Sequence, residues 1–202
     1  MVGYNSRSTF VHNAGNGGLL GRNGTVTLIE AWRQVKSPAR LLLRAQKNPN
    51  IPVSSLNSLS SHRIDYVYGT VPYAELWREG GQGDVFVWPH KFDGLSLPLQ
   101  ESFASGMAVM GVDRNPDNTW LPTEPLIPVQ NYRECSVAHS CTIFQEAVID
   151  PSQLASHIDS WYGKDISHLS DLGREWAEKN SWTNSRQTWI EALLTLHSLR
   201  SI

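Results

Sequence analysis

Two carboxylates flank a turn in the stretch "KFDGLSLPLQESFASGM", residues 91–107. Asp93 precedes Gly94, and Glu101 lies about one helical turn after Pro98. Because Pro98 is typical of the first turn of a helix, the amides around Gly94 can point outward together and bind an anion. A carboxylate repels phosphate, so the two acids suit the neutral hydroxyls beside such an anion. The pattern indicates a diphosphate between two polyols, as in a nucleotide sugar, although an exposed loop acid and a helix-dipole partner also fit the spacing.

A second candidate for phosphate binding is the glycine-rich loop "NAGNGGLLGRNGT", residues 13–25. It falls between a predicted strand and a predicted helix, where phosphate-binding loops lie in open α/β sheets. The candidates in it are Gly15, Gly17 and Gly18. The loop lacks the third glycine of a dinucleotide fingerprint and has no Gly-Lys-Ser/Thr, so a flexible loop tip is an equally good interpretation.

Composition excludes several classes of function. The chain has 202 residues, 40% hydrophobic and 18% charged, with a net charge of −2, which is ordinary for one globular domain and gives no basic patch for nucleic acid. Cys135 and Cys141 fit neither a CxxC pair nor a zinc site, so we expect reduced thiols. We find no signal-peptide core and no apolar run that could span a bilayer, and we expect a cytoplasmic protein.

The elements that must position these residues follow an α/β pattern, in which short aliphatic runs alternate with amphipathic segments. Strands are predicted near residues 9–13, 40–44, 63–68, 84–88, 108–112 and 142–149. Helices are predicted at 25–35 and 72–78, from Pro98, and at 151–162, 169–179 and 183–199. An irregular excursion is predicted at about 113–142, because its first part holds four prolines and shows no period.

Three segments carry a resemblance to a known family. The stretch "DVFVWPHKFDGLSLPLQESFASGMAVMGVD" resembles the signature of the C-terminal domain of GT-B fold glycosyltransferases, particularly the retaining family 4. That family reads approximately D-V-F-V-x-P-S-x-x-E-G-F-G-L-P-x-x-E at this point. "GRNGTVTLIEAW" resembles its K-G-x-x-x-L-I-E-A helix start, and "EWAEKNSWTNSRQTWIEAL" resembles its closing helix. The resemblance implies one Rossmann-like, doubly wound, mainly parallel domain over residues 1–202, with C-terminal helices at about 151–200.

The resemblance also implies roles for the turn. Asp93 would lie beside the transferred sugar and Glu101 would hold the donor's ribose, and these are the candidate catalytic residues. The diphosphate would be held by backbone amides of the turn, with help from the first loop: Gly94, Leu95, Ser96, Leu97, Gly15, Gly17, Gly18 and Arg22. Transfer in the family retains anomeric configuration and generally needs no bound metal, so the resemblance implies no cofactor and a UDP or GDP sugar as the donor substrate.

The chain departs from the family's pattern at several positions. Asp93 stands for a glutamate, Ser96 for the turn glycine, His90 for a serine and Asn23 for a lysine. The family's arginine and lysine of the first loop have no clear counterpart, so either Arg22, Lys91 or Arg44 replaces them or transfer is impaired. Further candidate donor contacts near the ends of predicted strands are His12, Arg44, Tyr68, His90 and Lys91.

GT-B enzymes take their acceptor from a second domain, for which these residues show no counterpart. In the helix at 183–199, Trp189, Leu193 and Leu196 could form an apolar patch for an acceptor-domain protein or a second copy, or could pack in the core. One hypothesis is therefore the donor-binding domain of a retaining glycosyltransferase. Another is a non-catalytic nucleotide-sugar-binding or assembly module, and a dinucleotide enzyme is a third, against which the glycine pattern counts.

Overall fold

A parallel sheet of five strands forms the centre of the protein, as the sequence predicts. The strands are β1 (Thr9–Gly15), β2 (Arg40–Ala45), β3 (Ile64–Tyr68), β4 (Val85–Val87) and β5 (Ala108–Met110). They lie in the order β3-β2-β1-β4-β5, so the order reverses between β1 and β4. Open α/β sheets bind ligands at such a reversal, outside the carboxyl ends of the strands. The structure, a computed structural model, describes residues 9–15, 21–46, 59–73, 75, 85–122, 124–136 and 143–199.

Helices cover both faces of this sheet. They are α1 (Thr25–Trp32), α2 (Leu97–Ala104), α3 (Pro151–Trp161), α4 (Ser167–Lys179) and α5 (Trp182–Leu199). Successive residues of β1 point to opposite faces, so Phe10 packs with Trp32 of α1 while Val11 packs with Phe86 and Phe103 on the other side. The strands β4 and β5 are buried on both faces, which explains why they read as continuous aliphatic runs.

The predicted C-terminal helices are present, with starts close to the expected residues. Asp150 caps α3, because its carboxylate accepts the amide of Ser152 at 2.8 Å and Pro151 occupies the first turn. Among the described residues, no helix combines the length and the hydropathy that crossing a bilayer would need. The predicted helix at 72–78 falls largely outside the described residues.

Part of the predicted excursion is a β-ribbon. The strand predicted at 142–149 does not join the parallel sheet; as β7 (Ile143–Val148) it pairs antiparallel with β6 (Asn131–Ser136). The β6 sequence, "NYRECS", is largely polar and shows no alternation of buried and exposed residues, so it adopts the extended form through its ladder with β7. In its described residues, the earlier part of the excursion is irregular apart from a short 3-10 helix, Asp117–Thr119, and a parallel β-bridge between Val112 and Ile127.

The loops that follow β1 and β4 meet at Gly24, the residue before α1. Gly24 has a φ of 69°, in the left-handed region that favours glycine. A side chain there would also overlap the carbonyl oxygen of Pro89, in the loop after β4. At the reversal point of the sheet, the loops after β1 and β4 therefore pack more closely than any residue other than glycine at position 24 would allow.

We predict that Gly24→Ala destabilises the protein by about 3 kcal/mol, because alanine adds an overlap with Pro89 to the cost of a left-handed backbone. Gly21→Ala is the matched control, since Gly21 is also left-handed, with a φ of 89°, but has open space around it. Its expected cost is about 1 kcal/mol. Denaturant unfolding of both variants measures the difference, and equal midpoints would contradict the prediction.

Candidate functional site

Two loops meet at the reversal point of the sheet, where open α/β sheets bind ligands in the crevice outside the strand ends. Residues 21–24 lead from the β1 side into α1, and residues 88–96 lead from β4 into α2. The loops are joined by a hydrogen bond from the Lys91 amide to the carbonyl oxygen of Arg22, at 2.7 Å. Of the first loop's predicted phosphate ligands, Gly15 and Arg22 are described, while Gly17 and Gly18 lie outside the described residues.

The turn before α2 presents a group of free amides. Ser96 is the residue before the helix and has left-handed φ and ψ of 47° and 46°, a conformation that costs a residue other than glycine about 1 kcal/mol. In the described part of the chain, the amides of Leu95, Ser96 and Leu97 donate to no protein acceptor. These N–H groups and the helix dipole make the turn attractive to an anion, as its sequence predicts.

Asp93 is held by groups of its own turn. One carboxylate oxygen accepts the Gly94 amide at 2.8 Å, and the other accepts the Ser96 hydroxyl at 3.1 Å. The same second oxygen lies 3.8 Å from His90 Nδ1. The Gly94 amide, predicted to bind diphosphate, is therefore engaged by Asp93 in this structure, and the three amides that follow it are the free ones.

Glu101 lies on α2, one turn beyond the free amides, and is half-buried. Burial raises the pKa of the Glu101 carboxyl above its ordinary value. A hydrogen bond from the Tyr73 side chain partly offsets this rise. Tyr73 itself is well exposed. Asp93 thus precedes the free amides along the chain and Glu101 follows them by about one helical turn.

Sequence reasoning missed two residues that support the turn, Arg114 and Asp117 in the loop after β5. Arg114 donates from Nε to the carbonyl oxygen of His90 at 3.2 Å, and its Nη2 lies 2.9 Å from Asp117 Oδ2. Asp117 accepts the Ser96 hydroxyl at 2.8 Å. Both side chains are buried, and burial raises the pKa of Asp117 while Arg114 and Ser96 lower it. Their only sequence signal is an opposite charge three residues away in a proline-rich stretch.

The β-ribbon fixes the middle of the same loop. The Ala147 amide donates to the carbonyl oxygen of Lys91 at 2.8 Å. The ring of Phe144 lies 4.3 Å from that of Phe92, measured between centroids. The ribbon therefore contacts the two residues that precede Asp93.

The basic side chains differ in their access to the crevice. Arg22 is exposed, and its charge is close enough to His90 to lower the pKa of that imidazole. Asn23, at the position of the family's lysine, is buried and donates to the carbonyl oxygen of Ala14. Lys91 is partly exposed. Of the predicted substitute cations, Arg22 thus has a charge that acts on a side chain of the β4 loop, His90.

His12 and His90 are both buried beside the crevice. His12 Nδ1 donates to the carbonyl oxygen of Val87 at 2.9 Å, and Nε2 lies 2.8 Å from the hydroxyl oxygen of Thr25. With both nitrogens engaged and the residue fully buried, the imidazole of His12 ties β1 to β4 and α1 instead of reaching the crevice. The His90 ring stacks on Trp88, with centroids 4.8 Å apart.

A small cavity lies farther along the carboxyl edge of the sheet, beyond β1. Its volume is about 70 Å³, and it is lined by residues at the ends of β1, β2 and β3: Asn13, Gly15, Arg44, Ala45, Gln46, Val67, Gly69 and Val71. The buried Oδ1 of Asn13 has no hydrogen-bond partner among the described residues. Tyr68 follows Val67 on β3, is exposed and stacks on Tyr66. This cavity could accept a planar polar group whose donors reach Asn13.

Comparison with known proteins supports the fold. No protein-family model matches this chain, and no curated protein matches it in sequence. Solved structures do: S. aureus TarM has a TM-score of 0.67 at 12% identity, over 95% of this chain and 36% of TarM. Anabaena HepE, solved with UDP and glucose, has a TM-score of 0.65 at 13% identity over 94% of this chain and 49% of HepE.

The pneumococcal O-GlcNAc transferase GtfA, solved with UDP and GlcNAc, has a TM-score of 0.65 at 15% identity, over 94% of this chain and 36% of GtfA. These proteins are GT-B glycosyltransferases, and this chain has the Rossmann-like fold of a GT-B domain. It spans between about a third and a half of their length. At these identities the likeness shows the fold alone.

We predict that His12 and His90 stay neutral well below pH 6.5. Burial is the main cause that lowers the pKa of each imidazole from 6.5 to about 4. Between pH 6.5 and pH 4 the unfolded chain therefore binds protons that the folded chain excludes. The contribution of each histidine to the free energy of unfolding is complete above pH 6.5. Below that pH it falls by about 1.4 kcal/mol per pH unit for each group. NMR titration of the imidazoles measures this, and midpoints near 6.5 would contradict it.

Proposed function

We propose that this chain binds a nucleotide-diphosphate sugar between the β1 and β4 loops, as the donor-binding domain of a retaining glycosyltransferase. The observation that carries the proposal is the row of free amides at Leu95, Ser96 and Leu97, at the N-terminus of α2 and between two acids. The donor diphosphate occupies these amides, which replace its hydration and stabilise the charge that develops as the sugar leaves.

Each group at the turn then has a task. Asp93 accepts hydrogen bonds from hydroxyls of the transferred sugar, and Glu101 accepts those of the ribose. Arg22 adds positive charge to the amides as the diphosphate leaves. In this proposal the transfer needs no bound metal, because amides and Arg22 carry the charge compensation that a cation would otherwise supply.

The polar edge of the nucleotide base lies against the cavity at the ends of β1, β2 and β3, which at about 70 Å³ is too small to enclose the base. A base is planar and carries N–H donors, which suits Asn13 Oδ1, an atom without a hydrogen-bond partner among the described residues. The exposed ring of Tyr68 offers a stacking surface nearby in the chain. UDP is the first nucleotide to test, since HepE and GtfA were solved with it.

Isothermal titration calorimetry with UDP, GDP and ADP tests this proposal, and we expect saturable binding of one of them. Glu101→Ala should weaken that binding about tenfold to a hundredfold, because it removes a charged acceptor from the ribose hydroxyls. Glu30→Ala, on the exposed surface of α1, is the control and should bind as the parent does. Absence of heat with all three nucleotides would refute the proposal, and unchanged affinity of Glu101→Ala would refute the ribose assignment.

The acceptor is supplied, we propose, by a separate domain or protein that covers α5. This helix carries a stripe of apolar side chains at helical spacing: Trp182, Trp189, Ile190, Leu193 and Leu194. Trp182 is 72% exposed and Leu193 63% exposed, which is unfavourable for a surface left in water. Leu196 extends the stripe in sequence, but its side chain lies outside those described.

We predict that the isolated chain binds donor but hydrolyses or transfers it only at background rate, with or without a metal chelator. Turnover should appear when a GT-B acceptor domain is added. Leu193→Glu should abolish this increase in turnover, because it places a charge within the apolar stripe, and should leave nucleotide affinity unchanged. Thr183→Glu introduces the same charge at an exposed polar position of α5 and is the matched control, which should keep the gain. If no acceptor domain restores turnover, the chain is a non-catalytic nucleotide-sugar-binding module, which the burial of Asn23 at the lysine position also favours.

A further inference from the structure

We propose that Asp117, acting through the hydroxyl of Ser96, is a positioning residue that controls how Asp93 engages the transferred sugar. This inference rests on the proposed function, in which Asp93 binds sugar hydroxyls. It adds a residue from the loop after β5 to the site, 24 positions from Asp93 in the sequence.

The geometry places one hydroxyl between two carboxylates. Ser96 Oγ lies 2.8 Å from Asp117 Oδ1 and 3.1 Å from Asp93 Oδ2. Ser96 is buried, so water does not readily replace either contact. The left-handed backbone of Ser96, at a φ of 47°, would be easier for glycine, yet only a residue with a side chain can make this bridge.

A serine hydroxyl has a single proton, so it can donate fully to only one of these carboxylates at a time. When a sugar hydroxyl donates to Asp93, the Ser96 proton can turn wholly to Asp117. Asp93 can then exchange the Ser96 hydroxyl for a sugar hydroxyl, and the buried Ser96 hydroxyl still has an acceptor. Without that acceptor, the cost of an unsatisfied buried hydroxyl would oppose sugar binding. Asp117 therefore acts as the alternative acceptor that makes the exchange easy.

Asp117 is held in place for this task. Its Oδ2 lies 2.9 Å from Arg114 Nη2, an ion pair by distance whose two atoms do not meet hydrogen-bond geometry, and both side chains are buried. Arg114 also donates to the carbonyl oxygen of His90, three residues before Asp93. Arg114 thus contacts the start of the site loop at His90 and also Asp117, which accepts the Ser96 hydroxyl near the end of that loop.

Ser96→Ala and Ser96→Gly test the inference without disturbing the ion pair. Calorimetry measures the affinity for UDP, GDP and ADP and for their glucose conjugates. The readout is the gain due to the sugar, which is the ratio of the affinity for the conjugate to the affinity for the nucleotide alone. In both variants we expect the gain due to the sugar, measured against each variant's own nucleotide affinity, to fall about fivefold to tenfold, the value of one hydrogen bond. Asp113→Asn, an exposed acid of the same loop, is the control and should change neither quantity.

The two variants separate the hydroxyl from the backbone. Glycine relieves the left-handed strain and alanine keeps it, so an equal loss in both assigns the effect to the hydroxyl. A gain due to the sugar that survives in both variants, or is already absent in the parent, overturns the inference. If the parent binds no nucleotide at all, the proposed function fails first and the inference fails with it.

A double-mutant cycle tests whether Asp117 works through Ser96. Asp117→Asn should reduce the gain due to the sugar in the parent but have no further effect in Ser96→Ala. Additive losses would show that Asp117 acts by another route and would overturn the inference. Removing one charge of a buried pair can unfold a protein, in which case the two Ser96 variants alone decide between the outcomes.

Discussion

The close approach of two loops at the centre of the sheet determines the shape of the candidate site. Gly24 packs directly against the carbonyl group of Pro89, and the Arg22 carbonyl accepts the amide of Lys91. His12 reinforces the approach from inside the sheet through Val87 and Thr25. Because the strand order reverses at this point, the helices α1 and α2 pack on opposite faces of the sheet, which is the arrangement that places ligands between them in open α/β folds.

The site loop after β4 is fixed by elements that are distant in sequence. It receives hydrogen bonds from the loop after β5, through Arg114, and from the β-ribbon, through Ala147, and it donates one to Asp117. Phe144 of the ribbon adds an aromatic contact at Phe92. A loop held at so many places needs little reorganisation to bind a ligand, which is the condition under which fixed dipoles stabilise developing charge best. The segment from β5 to the end of the ribbon is thus the support of the site.

The sequence predicted what depends on neighbours in the chain. Buried strands and the turn at Pro98 have local signals, and the structure has them at nearly the predicted bounds. The sequence did not predict β6, whose conformation depends on pairing with β7, nor the contact between Asp117 and Ser96. Their partners are set by tertiary packing, so no local spacing reveals them. For His12 the sequence left both a donor contact and a core histidine open, and the structure shows it fully buried.

The distribution of charge decides how such a site could work. The buried guanidinium of Arg114 is compensated by Asp117 and therefore adds little field to the crevice. Asn23 contributes no charge where the related family has a lysine, and Arg22 is exposed to solvent that screens it. In the proposed function, compensation of a leaving diphosphate would then depend mainly on the amides of Leu95, Ser96 and Leu97. Amides act only at short range and in fixed directions, so the chemistry depends on the geometry of this turn more than on any side-chain cation.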